Sequence, residues 1–154
     1  MEEVAVRKNG ARIFVDYAHT PYALDAAIRS IRAHFMGQIH LVFGAGGNRD
    51  KGKREMMGRV ASELTDNVII TDDNPRDETP ATIRSEIKKF CPKATEIADR
   101  AKAILVGVDQ LKTGDALIIA GKGHEKTQIF ADSILPFDDV EQASCSVAVL
   151  DGQV

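Results

Sequence analysis

Short apolar runs alternate with segments of helical periodicity along most of this chain, and that alternation limits the folds it can adopt. The apolar runs are predicted strands, and they cover residues 12–16, 39–43, 68–71, 94–98, 116–120 and, more weakly, 128–130. The uninterrupted apolar character of 116–120 is typical of strands covered on both faces, as in parallel sheets. Strands that alternate with helices form right-handed βαβ units. The sequence therefore predicts an α/β fold.

Five segments between and after these strands carry helical signals. One begins with Thr20 as N-cap and Pro21 at the first helical position, and the others begin before Met57, at 79–80, at Asp99 and at about Asp139. The residues predicted to face the core are Leu24, Ala27, Ile28, Ile31, Met57, Val60, Ala61, Leu64, Ile83, Ile87, Phe90, Ala101, Ile104, Leu105, Val108, Val140, Ala143, Val147 and Leu150. The expected architecture is a Rossmann-like, doubly wound, mostly parallel six-stranded sheet with helices on both faces.

Composition and charge indicate one ordinary soluble domain. The 154 residues suit a single domain, and 44% hydrophobic with 28% charged residues is typical of globular proteins. The net charge of −3 argues against a general nucleic-acid binder, and no apolar stretch is long enough to cross a bilayer. We expect a monomer with no nucleic-acid or membrane partner. Cys91 and Cys145 lie far apart, which predicts buried, reduced thiols and a cytoplasmic location.

Polar residues and glycines follow four of the predicted strands. We call these segments the strand-end loops; they are residues 16–21, 44–54, 72–76 and 121–125. In doubly wound sheets, ligands bind beyond the carboxyl ends of the strands. The sequence therefore predicts one ligand-binding edge that carries charges of both signs.

The segment 47–53 fits the pattern GxxxxGK of a phosphate-binding P-loop, but three interpretations are open. A P-loop needs a Ser or Thr hydroxyl for magnesium at the next position, where this chain has Arg54. The segment is otherwise a glycine-rich connection with a solvated basic face. The third interpretation is an anion site, because Arg49, Lys51, Lys53 and Arg54 cluster there. In that case Arg49 would hold a carboxylate through two parallel hydrogen bonds.

The sequences DDNPR at 72–76 and GKGHE at 121–125 also have structural and functional interpretations. Structurally, Asn-Pro starts a turn, and the glycines allow a tight one. Functionally, Asp73 accepts from an ammonium group, Asn74 both donates and accepts, and Arg76 binds a carboxylate. Glu125 adds a further acceptor. Together these groups suit a zwitterion such as an amino acid.

Four motifs occur in order along the chain: VDYAHTP at 15–21, GGNRDKGKR at 46–54, DDNPR at 72–76 and GKGHE at 121–125. In this order they resemble the C-terminal domain of the Mur ligases, which are ATP-dependent amino-acid-adding enzymes of peptidoglycan synthesis. DNPR is similar to the motif of the type that adds meso-diaminopimelate, the UDP-N-acetylmuramoyl-tripeptide synthetases. Because the motifs span most of the chain, the match is specific, whereas a single GxxxxGK would not be.

The resemblance implies that residues 1–154 are the last of three domains, the one that contacts the amino acid and ATP. The family's N-terminal domain binds the UDP-sugar peptide, and its central domain holds the P-loop and most magnesium ligands. Neither matches this chain, so ATP and Mg²⁺ would be bound mainly by the absent central domain. The implied ligase adds meso-diaminopimelate to UDP-N-acetylmuramoyl-L-alanyl-D-glutamate through an acyl phosphate. The chain alone is expected to be inactive.

Motif positions also imply the site residues. The implied meso-diaminopimelate site consists of Arg49, Asp73, Asn74, Arg76, Gly121 and Glu125. In it, Arg76 would bind the distal carboxylate and Arg49 the other, while Asp73, Asn74 and Glu125 would face ammonium groups. Asp16 and His19 match positions near ATP. No catalytic side chain is assigned, and no metal ligand either, because His19 and His124 lack partners at ligand spacing.

Two other function classes stay open. One is a stand-alone nucleotide- or amino-acid-binding module that uses the loop Gly47–Lys53. The other is a related ligase that adds a different amino acid, such as folylpolyglutamate or cyanophycin synthetase. The pairing of DNPR with GKGHE argues against the second class.

Overall fold

Eight strands and five helices are seen in the computed structural model, which describes residues 1–48 and 50–152. The strands are β1 (Glu2–Val6), β2 (Arg12–Asp16), β3 (Ile39–Phe43), β4 (Asn67–Ile70), β5 (Thr95–Glu96), β6 (Ala116–Ala120), β7 (Thr127–Ile129) and β8 (Ile134–Pro136). The helices are α1 (Pro21–Arg32), α2 (Gly52–Leu64), α3 (Pro80–Lys88), α4 (Arg100–Asp109) and α5 (Asp139–Leu150). None of these described helices is long and apolar enough to cross a bilayer.

The main sheet has six strands in the order β1-β2-β6-β3-β4-β5. Every neighbouring pair is parallel except β1 with β2. Helices α1, α2 and α3 pack on one face, where Leu41, Phe43 and Ile118 are buried. Helices α4 and α5 pack on the other face, against Val42 and Ile119. Neighbouring residues of β3 thus pack against helices on opposite faces of the sheet, as the two-residue repeat of a strand requires. The predicted mostly parallel sheet with helices on both faces is confirmed.

Side-chain caps fix where three of the helices begin. Thr20 Oγ1 accepts from the backbone N–H of Ala23 at 3.1 Å, so Pro21 follows as the first helical residue. Asp99 caps α4 in the same way. Asp138 caps α5, which leaves Asp139 as a fully buried first residue of that helix. Asp139 therefore begins the helix as predicted, and its carboxylate accepts hydrogen bonds from Arg100 rather than capping the helix.

Two strand assignments differ from the sequence prediction. The edge strand β1 was not predicted, because its sequence EEVAV is half exposed and carries two glutamates. The segment 128–130 was predicted as a strand of the main sheet, but β7 pairs instead with β8 as a separate antiparallel hairpin. A run of three residues shows β-propensity without specifying its partner.

Two predictions of burial are also wrong. Leu105 was expected to face the core, yet it is exposed, and Gly107 lies inward instead. A Cβ at Gly107 would lie 3.0 Å from Val42 Cγ2, so glycine lets α4 approach the sheet closely. Of the two cysteines, Cys91 is buried and Cys145 is exposed. Burial raises the pKa of the Cys91 thiol.

Candidate functional site

The strand-end loops meet at one edge of the sheet, as predicted. Strands β2, β6, β3 and β4 are neighbours with parallel direction, so their carboxyl ends lie side by side. Between the loops is a cavity of about 180 Å³. It is lined by Tyr17, His19, Gly44, Ala45, Gly46, Asp50, Lys53, Arg54, Met57, Asp73, Asn74, Arg76, Gly121 and Glu125.

Most of the predicted site residues line this cavity. Those that do so are Asp73, Asn74, Arg76, Gly121, Glu125 and His19. Asp16 is not among the lining residues; its carboxylate accepts from the backbone N–H of Ala18 at 2.9 Å and lines an adjoining surface depression. Arg49 lies outside the described residues. The structure therefore brings together the predicted residues of three loops, with Asp16 beside them.

Two loops lie against each other through Gly47. Its backbone N–H donates to Asn74 O at 2.8 Å. A Cβ at this position would lie 1.7 Å from Pro75 O, a distance that no side chain tolerates. Glycine at this position is thus what allows the second loop to touch the third.

Gly121 makes room for the Asp73 carboxylate. Its φ is +119°, in the region that favours glycine, and a Cβ would lie 2.8 Å from Asp73 Oδ2. Asp73 itself is buried and lines the cavity. Gly121, the first glycine of GKGHE, therefore permits the Asp73 carboxylate to lie close to the backbone directly after β6. The position of this glycine in the sequence did not reveal that steric role.

Lys122 is a site residue that the sequence analysis missed. Its side chain is fully buried, and its ammonium group lies between two loops and the hairpin. Nζ donates to Asn74 Oδ1 at 2.7 Å and to Thr127 O at 2.9 Å, and lies 3.0 Å from Asp73 Oδ1. The last contact is ionic, since no described residue gives Asp73 Oδ1 a well-angled hydrogen bond. The available signal was a lysine between two glycines, directly after the most apolar strand.

The hydrogen bonds of Asn74 restrict what it can offer a ligand. Its Oδ1 accepts from Lys122 Nζ and also from the backbone N–H of Ile129 at 2.9 Å. These two bonds use both lone pairs of the carbonyl oxygen. Toward the cavity, Asn74 can therefore present only its Nδ2 donor, which suits a carboxylate. The expectation that Asn74 faces an ammonium group does not agree with this geometry.

Arg76 is oriented by the loops around it. It has a left-handed backbone, with φ of +53°, and its N–H donates to Ile129 O at 3.0 Å. Nη1 of its side chain donates to Gly47 O at 3.0 Å. The guanidinium is half-buried and lines the cavity. A group held at one nitrogen in this way keeps other N–H donors that can bind a planar acceptor such as a carboxylate.

The described residues of the loop 47–53 do not resemble a phosphate cradle. Several of their backbone N–H groups already have protein acceptors: that of Asn48 donates to Glu78 at 2.7 Å, and that of Gly52 to Asp50 at 2.9 Å. A P-loop needs such N–H groups for the phosphates. The P-loop interpretation is therefore not supported.

Arg54 was expected to help bind an anion, but it is only 1% exposed and has an internal role. Its guanidinium donates to Glu78 at 2.6 Å, to Glu86 at 2.7 Å and to Gly46 O at 3.1 Å. Burial alone would lower the pKa of Arg54, but the two carboxylates outweigh it and raise that pKa. Arg54 therefore ties the second loop to α3, and although it lines the cavity its guanidinium is bound to partners within the protein.

A fully buried ion pair lies behind the site. Arg100 donates through Nε and Nη2 to the two carboxylate oxygens of Asp139, each at 2.8 Å. The same guanidinium reaches Asp72 O and Ala120 O, both at 3.2 Å. Burial alone would lower the pKa of Arg100, but Asp139 raises it. Arg100 thus fixes the last backbone groups before Asp73 and before Gly121.

Among residues 1–48 and 50–152, no group of three or more His, Cys, Asp and Glu side chains is arranged to hold a metal ion. The cavity is lined by acidic groups, which include the carboxylates of Asp73 and Glu125, and by donors, which include those of Asn74 and Arg76.

Comparison with known protein families gives one extended match. The family described as "Mur ligase, glutamate ligase domain" matches residues 1–123. A curated protein of Agrobacterium fabrum is 53% identical over 152 residues, which is 99% of this chain and 31% of that protein. Its name is UDP-N-acetylmuramoyl-L-alanyl-D-glutamate–2,6-diaminopimelate ligase. The chain thus spans about a third of the length of this relative.

Solved structures agree with this comparison. A structure titled as UDP-N-acetylmuramoyl-L-alanyl-D-glutamate–2,6-diaminopimelate ligase matches with a TM-score of 0.90 and 37% identity. The match covers 97% of this chain and 31% of that one. UDP-N-acetylmuramate-alanine ligase from Thermotoga maritima matches 99% of this chain and 30% of its own length, with a TM-score of 0.63 and 13% identity. At that identity, the likeness shows a shared fold.

Proposed function

This chain belongs to the Mur ligase family, and from that premise we propose that it is the amino-acid-binding region of a meso-diaminopimelate-adding ligase. The full enzyme would use ATP to join this diamino acid to UDP-N-acetylmuramoyl-L-alanyl-D-glutamate in peptidoglycan synthesis. Residues 1–154 would form the C-terminal domain. The chain spans 31% of its relative from Agrobacterium, so the nucleotide-sugar substrate would bind elsewhere in the full enzyme, and the chain alone would be inactive.

The observation that carries the proposal is the convergence of opposite charges around one cavity. Asp73 and Glu125 supply carboxylates, while Arg76 and the Nδ2 group of Asn74 supply donors. meso-Diaminopimelate carries an ammonium and a carboxylate at each end, so it needs both kinds of partner. Arg76 would bind a carboxylate of the distal end, and Asp73 and Glu125 would bind ammonium groups. Arg49 would complete the site by binding the other carboxylate.

The proposed reaction is amide formation through an acyl phosphate. ATP transfers its γ-phosphoryl group to the terminal carboxylate of the dipeptide and leaves as ADP. One amino group of diaminopimelate, in its neutral form, then attacks the acyl carbon, the bond from that carbon to the phosphate oxygen breaks, and the proton that the nitrogen loses leaves with the inorganic phosphate. This chain would supply the position of the amine, since correct placement alone can lower the barrier by several kcal/mol.

Nucleotide and metal binding would be shared with the rest of the ligase. Asp16 and His19 lie at the edge of the cavity and are proposed to face the ATP ribose and phosphates. The His19 ring is oriented by Tyr17, whose carbonyl oxygen lies 2.9 Å from Nδ1. The Mg²⁺ ligands are proposed to lie mainly in the central domain of the full ligase. We expect the ligase to act as a cytoplasmic monomer.

The test is substrate discrimination in the full-length ligase that contains this chain. L-Lysine lacks the second carboxylate, so Arg76 would have no ion-pair partner in a lysine complex. A site that binds a polar group can reject an analogue without it by about 10⁴-fold. Arg76→Ala should therefore remove most of the preference for diaminopimelate, as measured by kcat/KM for both amino acids. The matched control is Arg29→Ala, because Arg29 is exposed and, within residues 1–48 and 50–152, pairs only with Asp25 on its own helix.

Two results would contradict this proposal. If the unmodified ligase does not use diaminopimelate at all, the substrate is wrong. If it does, and Arg76→Ala keeps the same preference as Arg29→Ala, then Arg76 does not bind the distinguishing carboxylate. The stand-alone nucleotide-binding alternative is not favoured, because the N–H groups of Asn48 and Gly52 are bound to carboxylates of the protein.

A further inference from the structure

Lys122 carries a buried charge that no part of the proposed reaction uses. Its side chain has no exposure, and burying an ammonium group is unfavourable unless it is paired and hydrogen-bonded. The nearest carboxylate is that of Asp73, with Oδ1 at 3.0 Å, and that of Glu125 is farther away, with Oε1 at 4.0 Å. The remaining contacts are the oxygens of Asn74 and Thr127. Three of these four partners, Asp73, Asn74 and Glu125, are proposed to bind the amino acid, and Asp73 and Asn74 are the nearer of them.

Lys122 helps to fix which way round the Asn74 carboxamide is held. A carboxamide can rotate by half a turn and exchange its donor for its acceptor at little steric cost, because its two ends have nearly the same shape. Here Lys122 Nζ and the N–H of Ile129 are both donors, and both point at the same oxygen. Rotation would place two donors against the Nδ2 donor. The contacts therefore fix Oδ1 as the end of the carboxamide that the protein binds and leave Nδ2 as the end that can donate to a ligand in the cavity that Asn74 lines.

We propose that Lys122 is a positioning residue that sets amino-acid specificity by holding Asn74 as a donor toward the cavity. This inference rests on the proposed function. A donor at Asn74 favours a carboxylate and disfavours an ammonium group or an apolar chain. The charge of Lys122 also balances Asp73, so that the ligand does not meet an uncompensated buried anion. Lys122 itself does not line the cavity and would act only through its two neighbours.

The first variant removes the ammonium group but keeps the length of the side chain. Lys122→Met leaves Asn74 Oδ1 with one donor, so the amide can rotate, and we expect KM for diaminopimelate to rise about 10- to 100-fold. The kcat value should change less than about threefold, because Lys122 does not touch reacting atoms. The preference for diaminopimelate over lysine should fall about tenfold or more. The control is Lys126→Met, since Lys126 is exposed and Asp138 is its one ion-pair partner in the part of the chain that the structure describes.

A second variant guards against a failure of Lys122→Met to fold. Asn74→Asp keeps an acceptor for both Lys122 and Ile129, but it replaces the cavity-facing donor with an acceptor. We expect this variant to keep the wild-type melting temperature within about 3 °C and to lose diaminopimelate binding by at least about 100-fold. A purely structural role for this network predicts the reverse: lower stability with unchanged discrimination.

Isotope labelling of the 154-residue chain separates this inference from the proposed function. The side-chain ¹⁵Nδ2 signal of Asn74 should shift on addition of meso-diaminopimelate in the wild-type chain and in Lys126→Met, but not in Lys122→Met. If the full-length ligase uses diaminopimelate and both Lys122→Met and Asn74→Asp keep its discrimination within about twofold of the control, the role given to Lys122 is wrong. If the unmodified ligase does not use diaminopimelate, the proposed function fails first.

Discussion

The buried pair Arg100–Asp139 permits a quantitative prediction about stability. Both side chains are fully buried, and two hydrogen bonds of 2.8 Å join them. Arg100→Met would leave the Asp139 carboxylate in the core without its cation. Breaking a buried pair in this way costs about 3–5 kcal/mol of the free energy of unfolding. Because a domain has only about 5–15 kcal/mol in total, this single change should remove a large fraction of the stability.

The matched double variant distinguishes the cost of an unpaired charge from the cost of lost packing. Arg100→Met with Asp139→Leu replaces both charges by apolar groups, and such replacements of buried pairs are often neutral or stabilising. The double variant should therefore be more stable than Arg100→Met alone, with a coupling energy of about 2 kcal/mol or more. Arg29→Ala, which breaks only the exposed pair with Asp25, should change stability by less than about 0.5 kcal/mol.

Urea unfolding of the 154-residue chain, followed by circular dichroism, measures these differences. For a domain of this size, a loss of 3–5 kcal/mol corresponds to a fall in melting temperature of roughly 6–20 °C. The reasoning is refuted if Arg100→Met costs less than about 1 kcal/mol, or if the losses from Arg100→Met and Asp139→Leu simply add in the double variant. Either result would mean that the carboxylate of Asp139 is not held by Arg100 alone.

Two further predictions concern a glycine and an aspartate. Gly47→Ala should displace the second loop, because the new Cβ would lie 1.7 Å from Pro75 O, and it should abolish diaminopimelate binding in an NMR titration. The control Gly52→Ala should be tolerated, because its Cβ would lie 3.2 Å from the flexible side chain of Asp50. Burial opposes ionisation of Asp115, but hydrogen bonds that include one from His40 outweigh it and lower the pKa of Asp115. The ionised Asp115 carboxylate stabilises the fold above its unfolded pKa of about 3.9, and this effect is lost as the pH falls through the lower folded pKa. In urea unfolding, the destabilisation caused by Asp115→Asn should therefore shrink between pH 5 and pH 2. A difference that does not depend on pH would contradict this.

Much of the fold could be predicted because its signals are local. A continuous apolar run marked β6, a mostly apolar run marked β3, and a threonine followed by proline marked the start of α1. The edge strand β1 and the separate hairpin could not be predicted in the same way. Their sequences are short and partly exposed, and which strand each one pairs with depends on distant segments. Periodicity also failed in α4, where apolar residues surround much of the helix and Leu105 could not be told from Ala103.

The location of the site was easier to predict from the sequence than the orientation of its side chains. Parallel strands bring their ends to one edge whatever the side chains are, so the loops containing Asp73 and Gly121 had to meet. The direction in which a side chain points is a different matter. Asn74 was expected to face an ammonium group, yet its oxygen is bound to Lys122, and that contact depends on a loop far away in the sequence.

Three buried cations explain why counting charges in a loop gives a misleading picture of this site. Arg54, Lys122 and Arg100 are each at most 1% exposed, and each is paired with carboxylates from another element. A cation with such partners is no longer available to an anionic ligand, but it fixes the loops that carry the cavity-lining groups. Arg76 differs because the described residues bind its side chain through the backbone oxygens of Gly47 and Asn74, and none of them forms an ion pair with it. On this reasoning, the cation that would recognise a carboxylate is the one whose partners are dipoles rather than charges, and Arg76 fits that description.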